Sequence, residues 1–352
     1  MDLYNLGTVP WPDSQLIYHA LPRLGREGLV LCQPASPYVC LGFHQDARQE
    51  IDLAFCKEHG IPIFRREVGG GAVYLDRGQL FYQLVLQRQN PLVPASKEVF
   101  YRRFLEPVVA VYRHLGIAAA YRPVNDIVVG GRKISGNGAA DIADAVVLVG
   151  NLIIDFNYEM MSRVLRVPDE KYRDKVYKTL GENLTTIRRE TGREPSLEEL
   201  IARLVEHFAP LLGPLTPRPV DDDLRAQVQE LGAQFASPAW LHRHERRPRP
   251  GRQVKIAAGV TVVERLHKAP GGLLRATAVL SNNRVHDVHL SGDFFFYPAH
   301  ELAALEEALE GVEARAEAIV ARVQEFYQQH SIESPGLQPE DFGHLLAMET
   351  GE

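Results

Sequence analysis

The order of the apolar runs constrains this chain more than any single motif. Over residues 1–90, short β-prone runs follow one another: LVLC (29–32), YVCLGF (38–43), IPIF (61–64), AVYL (72–75) and FYQLVL (81–86). Turn residues separate them, so each reads as a strand. One helix is expected within ARQEIDLAFCKEHG, with Gly60 as its stop. A long helix is expected over 96–115, with Phe100, Phe104, Val108, Val111 and Leu115 at helical spacing and Gly116 after it. Pro107 inside it predicts a kink or a break. Strands return over 127–155. DIVVGGRKIS reads as a hairpin turning at Gly130-Gly131, and VVLVGNLIIDF (146–156) as one long strand or two. Helices dominate 158–190, and SLEELIARLVEHF (196–208) opens with a capping box of Ser196 and Glu199. Strands come first and helices later, without βαβ alternation, which points to α+β rather than a doubly wound fold.

The length of 352 residues suits two units. The first is expected over 1–212. LLGPLTPRPVDDD (211–223) has the composition of a linker, and the linker region is set at 213–235, with a short helix over 224–235. The second unit is expected over 236–330. It begins with a basic, Pro-rich connector, HRHERRPRPGR (242–252). Strands in VKIAAGVTVVERL, GGLLRATAVLSN and RVHDVHLSGDFFF follow, then helices near 299–310 and 312–330. Residues 331–352 read as an appended tail. The same order, strands and then helices, makes this unit α+β as well.

Composition removes several function classes. The hydrophobic fraction of 45% and charged fraction of 24% are those of an ordinary soluble globular protein. A net charge of −6 argues against wholesale nucleic-acid binding. The start, MDLYNLGTVPWPDSQ, lacks a basic segment followed by an apolar run, and no apolar run approaches a membrane span. The expected setting is the cytoplasm. The three cysteines, Cys32, Cys40 and Cys56, are odd in number and form no CxxC, so neither a disulfide framework nor a zinc site is suggested. His286 and His289, and His242 and His244, read as exposed or edge-strand residues rather than metal ligands. Neither a GxGxxG after a strand nor a GxxxxGK[ST] occurs.

Three segments carry residues suited to chemistry. In RREVGGGAVYLD (65–76), consecutive glycines let main-chain N–H groups approach a ligand, and Arg65 and Arg66 offer planar forks for a carboxylate or phosphate. The bland alternative is a tight loop between two strands. In NDIVVGGRKISGNG (125–138), Lys133 sits on a strand as a fixed point charge, suited to an acyl carbonyl oxygen or a phosphate. Asn125 and Asp126 stand at the start of the hairpin, within reach of the same pocket, and Asp126 has the chemistry to hold Mg²⁺ beside phosphates. The alternative is a surface hairpin. In DKVYKTLGENLTTIRRE (174–190), Lys175, Lys178, Thr179, Thr185 and Thr186 could serve phosphate oxygens, or simply form a solvated helix end.

Together these segments resemble lipoate–protein ligase A, of the biotin/lipoate ligase superfamily. The resemblance rests on Arg65-Arg66, two residues, Gly69-Gly70-Gly71 and a hydrophobic strand; on Asn125-Asp126 before Arg132 to Gly136; and more loosely on 175–186. The C-terminal Gly292-Asp293-Phe294-Phe295 resembles a signature of the accessory domain of longer ligases. The resemblance implies an α+β catalytic domain with a mixed or antiparallel sheet, plus a small α+β accessory domain that rearranges after adenylate formation. It implies ATP and Mg²⁺, with lipoate as substrate, lipoyl-AMP as intermediate and a lysine of a lipoyl-domain protein as acceptor. That acceptor would be a 2-oxo acid dehydrogenase subunit, a glycine-cleavage carrier or a specialised lipoate carrier. Lys133 would be catalytic. Arg66, Val68, Gly69, Gly70, Gly71, Ala72, Leu75, Val149 and Gly150 would line the acyl-adenylate pocket. Val73, Tyr74, Asn125, Asp126, Ser135, Gly136, Lys178 and Thr179 would sit at the nucleotide, Asp126 also at the metal.

The chain departs from the family pattern at four places. Leu75 and Val149 stand where histidines are usual, Val68 where Ser or Thr is common, and Gly181 and Asn183 where an Arg-rich pattern is commoner. These changes bear on the preferred acyl chain and acceptor more than on the chemistry. A thiol-dependent acyltransferase moving octanoyl or lipoyl groups between carriers would need a nucleophilic cysteine near the pocket. In such relatives it lies near the Asn-Asp region or beyond the lysine strand, and no cysteine follows Cys56 here. A biotin–protein ligase would carry a Gly-Arg-Gly-Arg-type loop, where this chain has RREVGGG. A non-catalytic lipoate binder is the remaining alternative.

Overall fold

A computed structural model describes residues 1–245, 254–257 and 260–348. The chain forms two compact units. The first comprises Met1–Leu41, Arg48–Glu67 and Ala72–Arg243; the second comprises Gly42–Ala47, Val68–Gly71 and His244–Glu352. Both are α+β. Among the described residues no helix is long and apolar enough to cross a membrane.

The first unit is built on a mixed six-stranded sheet. In spatial order its strands are Asn137–Ile142, Ala145–Ile153, Gln79–Gln87, Gly28–Pro34, Asp2–Val9 and Thr216–Pro217. The first three neighbouring pairs are antiparallel and the last two parallel. Gln79–Gln87 is buried along all but its last residue, which explains its near-continuous apolar run. Leu80, Tyr82, Leu84 and Leu86 alternate onto one face, in one core with Phe104, Val108 and Tyr112 of helix Lys97–His114 and Leu204 and Phe208 of helix Leu197–Leu212.

Several local expectations change. Helix Lys97–His114 runs through Pro107 without a break. Phe104, Leu105, Val108, Val109, Val111 and Tyr112 are all buried around it, and that packing outweighs the hydrogen bond the proline removes. The single helix expected near 47–60 is two short ones, Ala47–Glu50 and Leu53–Glu58, the second capped by the Asp52 carboxylate. Ser196 caps its helix through the Glu199 N–H, but the expected capping box does not close, because the Glu199 carboxylate pairs with Arg193 at 2.9 and 3.0 Å. The stretch with linker composition is structured. Thr216–Pro217 adds an edge strand beside Asp2 and Leu3, and helix Asp222–Phe235 buries Leu224, Leu231 and Phe235. Arg26 binds both oxygens of Asp221 at 2.8 Å, just ahead of that helix. Proline and aspartate here mark caps and turns of ordered chain, not slack. Residues 246–252 of the basic connector lie outside the described residues.

In the second unit a four-stranded antiparallel sheet runs Val254–Ala257, Val260–Ala269, Gly272–Ser281 and Arg284–Gly292. Burial alternates strictly along Gly272–Ser281. Its inward residues Leu274, Ala276, Ala278 and Leu280 share a core with helices Glu301–Ala308 and Ala316–Gln329. The expected tail is part of this core. Gln338 and Asp341 form a capping box for helix Pro339–Leu346, which buries Phe342, Leu345 and Leu346. Replacing Phe342 by Ala should therefore cost about 3–5 kcal/mol, the range for emptying a buried phenylalanine site. Urea unfolding checks this, and an unchanged midpoint would show the segment to be dispensable.

Candidate active site

The lysine hairpin is the most defined part of the site. Strands Asp126–Val129 and Arg132–Ser135 are joined by Gly130 and Gly131, whose φ angles of +53° and +82° are open to glycine at little cost. Ile127 and Ile134 are fully buried and anchor the hairpin in the core of the first unit. Lys133 Nζ lies 2.7 Å from Asp126 Oδ1. Arg122 Nη2 lies 2.7 Å from the other oxygen, Asp126 Oδ2. Burial alone would raise the Asp126 carboxyl, but the Lys133 and Arg122 cations outweigh it and hold it below its ordinary range. Asp126 is thus the shared counterion of two cations, not an open ligand. Among the described residues no group of three or more His, Cys, Asp or Glu is placed to hold a metal. With both Asp126 oxygens engaged by cations, the residues present do not fit a resident Mg²⁺.

Behind the hairpin lies a buried polar network. The Ser135 hydroxyl donates to the Asn151 carbonyl at 2.6 Å and meets the Tyr82 hydroxyl at 3.1 Å. Tyr82 also donates to Asn137 Oδ1, and Asn137 Nδ2 donates to the Asn125 carbonyl at 2.9 Å. Asn125 Nδ2 returns a bond to the Asn137 carbonyl. The Asn151 side chain accepts from Gly136 N–H and donates to Gln79 Oε1, both at 2.8 Å. Asn125, Ser135 and Gly136 are therefore brought together, and partners that sequence reasoning passed over hold them: Tyr82, Asn137, Asn151, Gln79 and Arg122. A lone Asn or Gln in a buried apolar run was the available signal, because such a side chain must find a partner. Gly150 is tightly enclosed. A Cβ there would lie 2.3 Å from Asn137 Oδ1 and 2.4 Å from Tyr82 ring and hydroxyl atoms.

The other expected residues are placed as follows. Val73, Tyr74 and Leu75 form a strand paired with Tyr38–Cys40; Leu75 is buried, Ala72 half-buried. Half-buried Val149 faces Gln83 across the sheet. Lys178 and Thr179 are exposed on helix Arg173–Asn183, Lys178 lying 3.9 Å from Glu182. Two contacts link the segment 174–190 to the hairpin: Thr185 N–H donates to the Lys133 carbonyl at 2.8 Å, and Arg132 Nη2 donates to Glu190 Oε1 at 2.8 Å.

The arginine pair divides its work. Arg65 is fully buried, its Nε and Nη2 donating to the Leu241 carbonyl at 3.0 and 2.6 Å. Arg66 donates through Nη1 to the Cys40 carbonyl at 3.2 Å. Ahead of the glycines, Glu67 N–H donates to His19 Nε2 at 3.2 Å, while His19 Nδ1–H donates to the Gln15 carbonyl at 2.7 Å. In the second unit, the Val68 carbonyl accepts from Phe43 N–H, and Gly70 N–H donates to the Phe294 carbonyl at 3.2 Å. A Cβ on Gly69 would lie 2.7 Å from that carbonyl, and one on Gly71 3.7 Å from Asp293. The bare backbone of Gly69 is what lets Phe294-Phe295 approach, whereas a Cβ on Gly71 would make only an ordinary contact with Asp293.

All three cysteines are free and buried. Burial pushes the Cys32 and Cys40 thiols up, and that of Cys56 up to about 11. Burial likewise pushes His19 down to about 4. The unfolded chain binds a proton near pH 6.5 that the folded chain refuses until about pH 4. The stability contributed by this group is complete above pH 6.5 and is lost as pH falls toward 4. Unfolding midpoints in urea should drop between pH 7 and pH 5, and His19→Gln should flatten that drop; equal slopes in both proteins would contradict it.

Comparison with known proteins adds the following. The family described as lipoyl protein ligase A/B catalytic domain matches residues 13–209, and that described as bacterial lipoate protein ligase C-terminus matches 262–346. The chain is 33% identical over 184 residues to lipoate-protein ligase A subunit 1 of Thermoplasma acidophilum, spanning 49% of this chain and 68% of the relative. It is 27% identical over 230 residues to octanoyltransferase LipM of Kyrpidia tusciae, spanning 59% and 84%. Among solved structures, a bi-partite lipoate protein ligase, reported with its E2 lipoyl domain from Thermoplasma acidophilum, matches with TM-score 0.62 and 26% identity, over 70% of this chain and 98% of that one. A lipoate-protein ligase A bound with ATP matches with TM-score 0.58 and 25% identity, over 68% and 98%.

Proposed function

This chain belongs to the lipoyl protein ligase A/B family, and from that premise we propose that it is an ATP-dependent, AMP-forming lipoate–protein ligase. A lipoate carboxylate oxygen attacks the α-phosphorus of ATP, pyrophosphate leaves, and lipoyl-AMP forms. The ε-amine of an acceptor lysine then attacks the acyl carbonyl, AMP leaves with the bonding electron pair, and the amine gives up a proton. The acceptor is a lipoyl-domain protein.

One observation carries the choice of ligase over thiol-dependent transfer. The site offers a fixed cation, Lys133, and no thiol able to act as nucleophile. Its ammonium sits on a hairpin whose end is tied by the buried Ser135–Tyr82 hydrogen bond and by Gly136 N–H donating to Asn151. A cation carried on a preorganised hairpin stabilises negative charge developing on the α-phosphate and acyl oxygens with little backbone rearrangement at the moment of reaction. The three thiols are buried, and each is held protonated by that burial. The octanoyltransferase among the relatives makes the distinction necessary. The ATP-bound neighbour and the neighbour reported with an E2 lipoyl domain support nucleotide use and the class of acceptor. No step is assigned to a metal.

Incubation with lipoate, ATP and an apo lipoyl domain should release AMP and add a lipoyl mass to the domain. Lys133→Ala should lower the rate by about 10²–10³, the scale for removing one preorganised stabilising group, with an unchanged circular dichroism spectrum. The variant with Cys32, Cys40 and Cys56 all replaced by Ala should keep its activity. ATP-independent transfer from an octanoylated carrier, lost in that variant, would overturn the reading.

A further inference from the structure

We propose that Arg122 is a positioning residue for Lys133, acting through Asp126; the proposal rests on the ligase reading above. Arg122 ends the strand Ala120–Arg122 and is in register with Asp126 on the neighbouring strand. Its guanidinium makes two contacts. Nη2 lies 2.7 Å from Asp126 Oδ2, and Nη1 donates to the carbonyl of Gly131, in the turn of the lysine hairpin, at 3.3 Å. Asp126 Oδ1 faces Lys133 Nζ at 2.7 Å. One carboxylate is thus divided between two cations, one oxygen to each.

The division has an electrostatic consequence. With Lys133 alone, Asp126 would form a neutral pair, and the ammonium would be held where it is. Arg122 takes half of the carboxylate's hydrogen-bonding capacity and leaves the trio with one surplus positive charge. The ammonium is then held loosely enough to pass to an incoming carboxylate or phosphate oxygen. Asp126 does not follow it out as uncompensated negative charge, because Arg122 remains. The contact to Gly131 keeps the hairpin turn in register with this arrangement. Side-chain exposures of 48% for Arg122, 20% for Asp126 and 32% for Lys133 place the trio at a partly screened margin, where a substrate anion can reach the lysine.

The test is a double-mutant cycle read by AMP release with lipoate, ATP and a lipoyl domain. Arg122→Gln should lower kcat/KM about tenfold, within the range of coupling between contacting charges, with both a raised KM for lipoate and a lowered kcat. Arg122→Lys should recover most of the loss. In an Asp126→Asn background, Arg122→Gln should change kcat/KM less than about twofold, since its route to Lys133 is gone. A full tenfold loss in that background would overturn the proposal. A second readout needs no turnover. In protein labelled at the lysine ε-carbons, the Lys133 resonance, assigned with Lys133→Arg, should shift in Arg122→Gln. An unmoved resonance overturns the proposal even where the wild type is an active ligase. A shifted resonance in a protein that releases no AMP separates the failure of the ligase reading from the clamp.

Discussion

The register between strands Gln79–Gln87 and Ala145–Ile153 is the constraint on which the site depends. It sets Gly150 opposite Tyr82 and Asn151 opposite Phe81. Because Gly150 carries no side chain, the Tyr82 hydroxyl reaches Ser135 and Asn137; on the other face the Asn151 amide reaches Gly136 and Gln79. A slip of one residue would turn each of these groups to the other face of the sheet. Three buried polar side chains would then lose partners, at about 1–3 kcal/mol each. The apolar residues on either side, Leu80, Leu84, Leu148 and Leu152, are buried and resist the same slip. Burial and hydrogen bonding thus select one register, and that register holds the end of the Lys133 hairpin.

Much of this was legible because it is local. The Gly130-Gly131 turn, the β-branched runs and the Ser196 cap follow from chemistry within a few residues of chain. Pro107 misled because its cost is local while the packing that overrides it comes from another helix and the sheet. The stretch 213–235 misled for a related reason. Its prolines and aspartates are compatible with slack chain, and only pairing with Asp2 and Leu3, at the far end of the sequence, makes it a strand and a strapped helix. Helix Pro339–Leu346 has a clear cap, but its burial depends on a core built elsewhere.

In the site, residue types were readable and partners were not. Lys133 stood out as a lone cation on a strand. That Asp126 binds both Lys133 and Arg122, and so is no open metal ligand, is a matter of geometry across three strands. Arg65 and Arg66 look alike in sequence. One is consumed by the Leu241 carbonyl, 176 positions away, while the other lies against Cys40. Family membership narrows the chemistry, and these contacts distinguish two arginines that the motif makes look equivalent.

The triple glycine belongs to a unit whose other parts are made much later. Val68–Gly71 packs on Gly292-Asp293-Phe294-Phe295, some 220 residues further along the chain. At about 5–20 residues per second, the ribosome leaves that loop waiting roughly 10–45 s for its partner. During that interval Gly69, Gly70 and Gly71 lack the Gly292–Phe295 partner on a chain whose central sheet can already assemble. Assembly of the second unit is therefore bound to the end of synthesis, because its earliest segments cannot be covered until the last ones emerge.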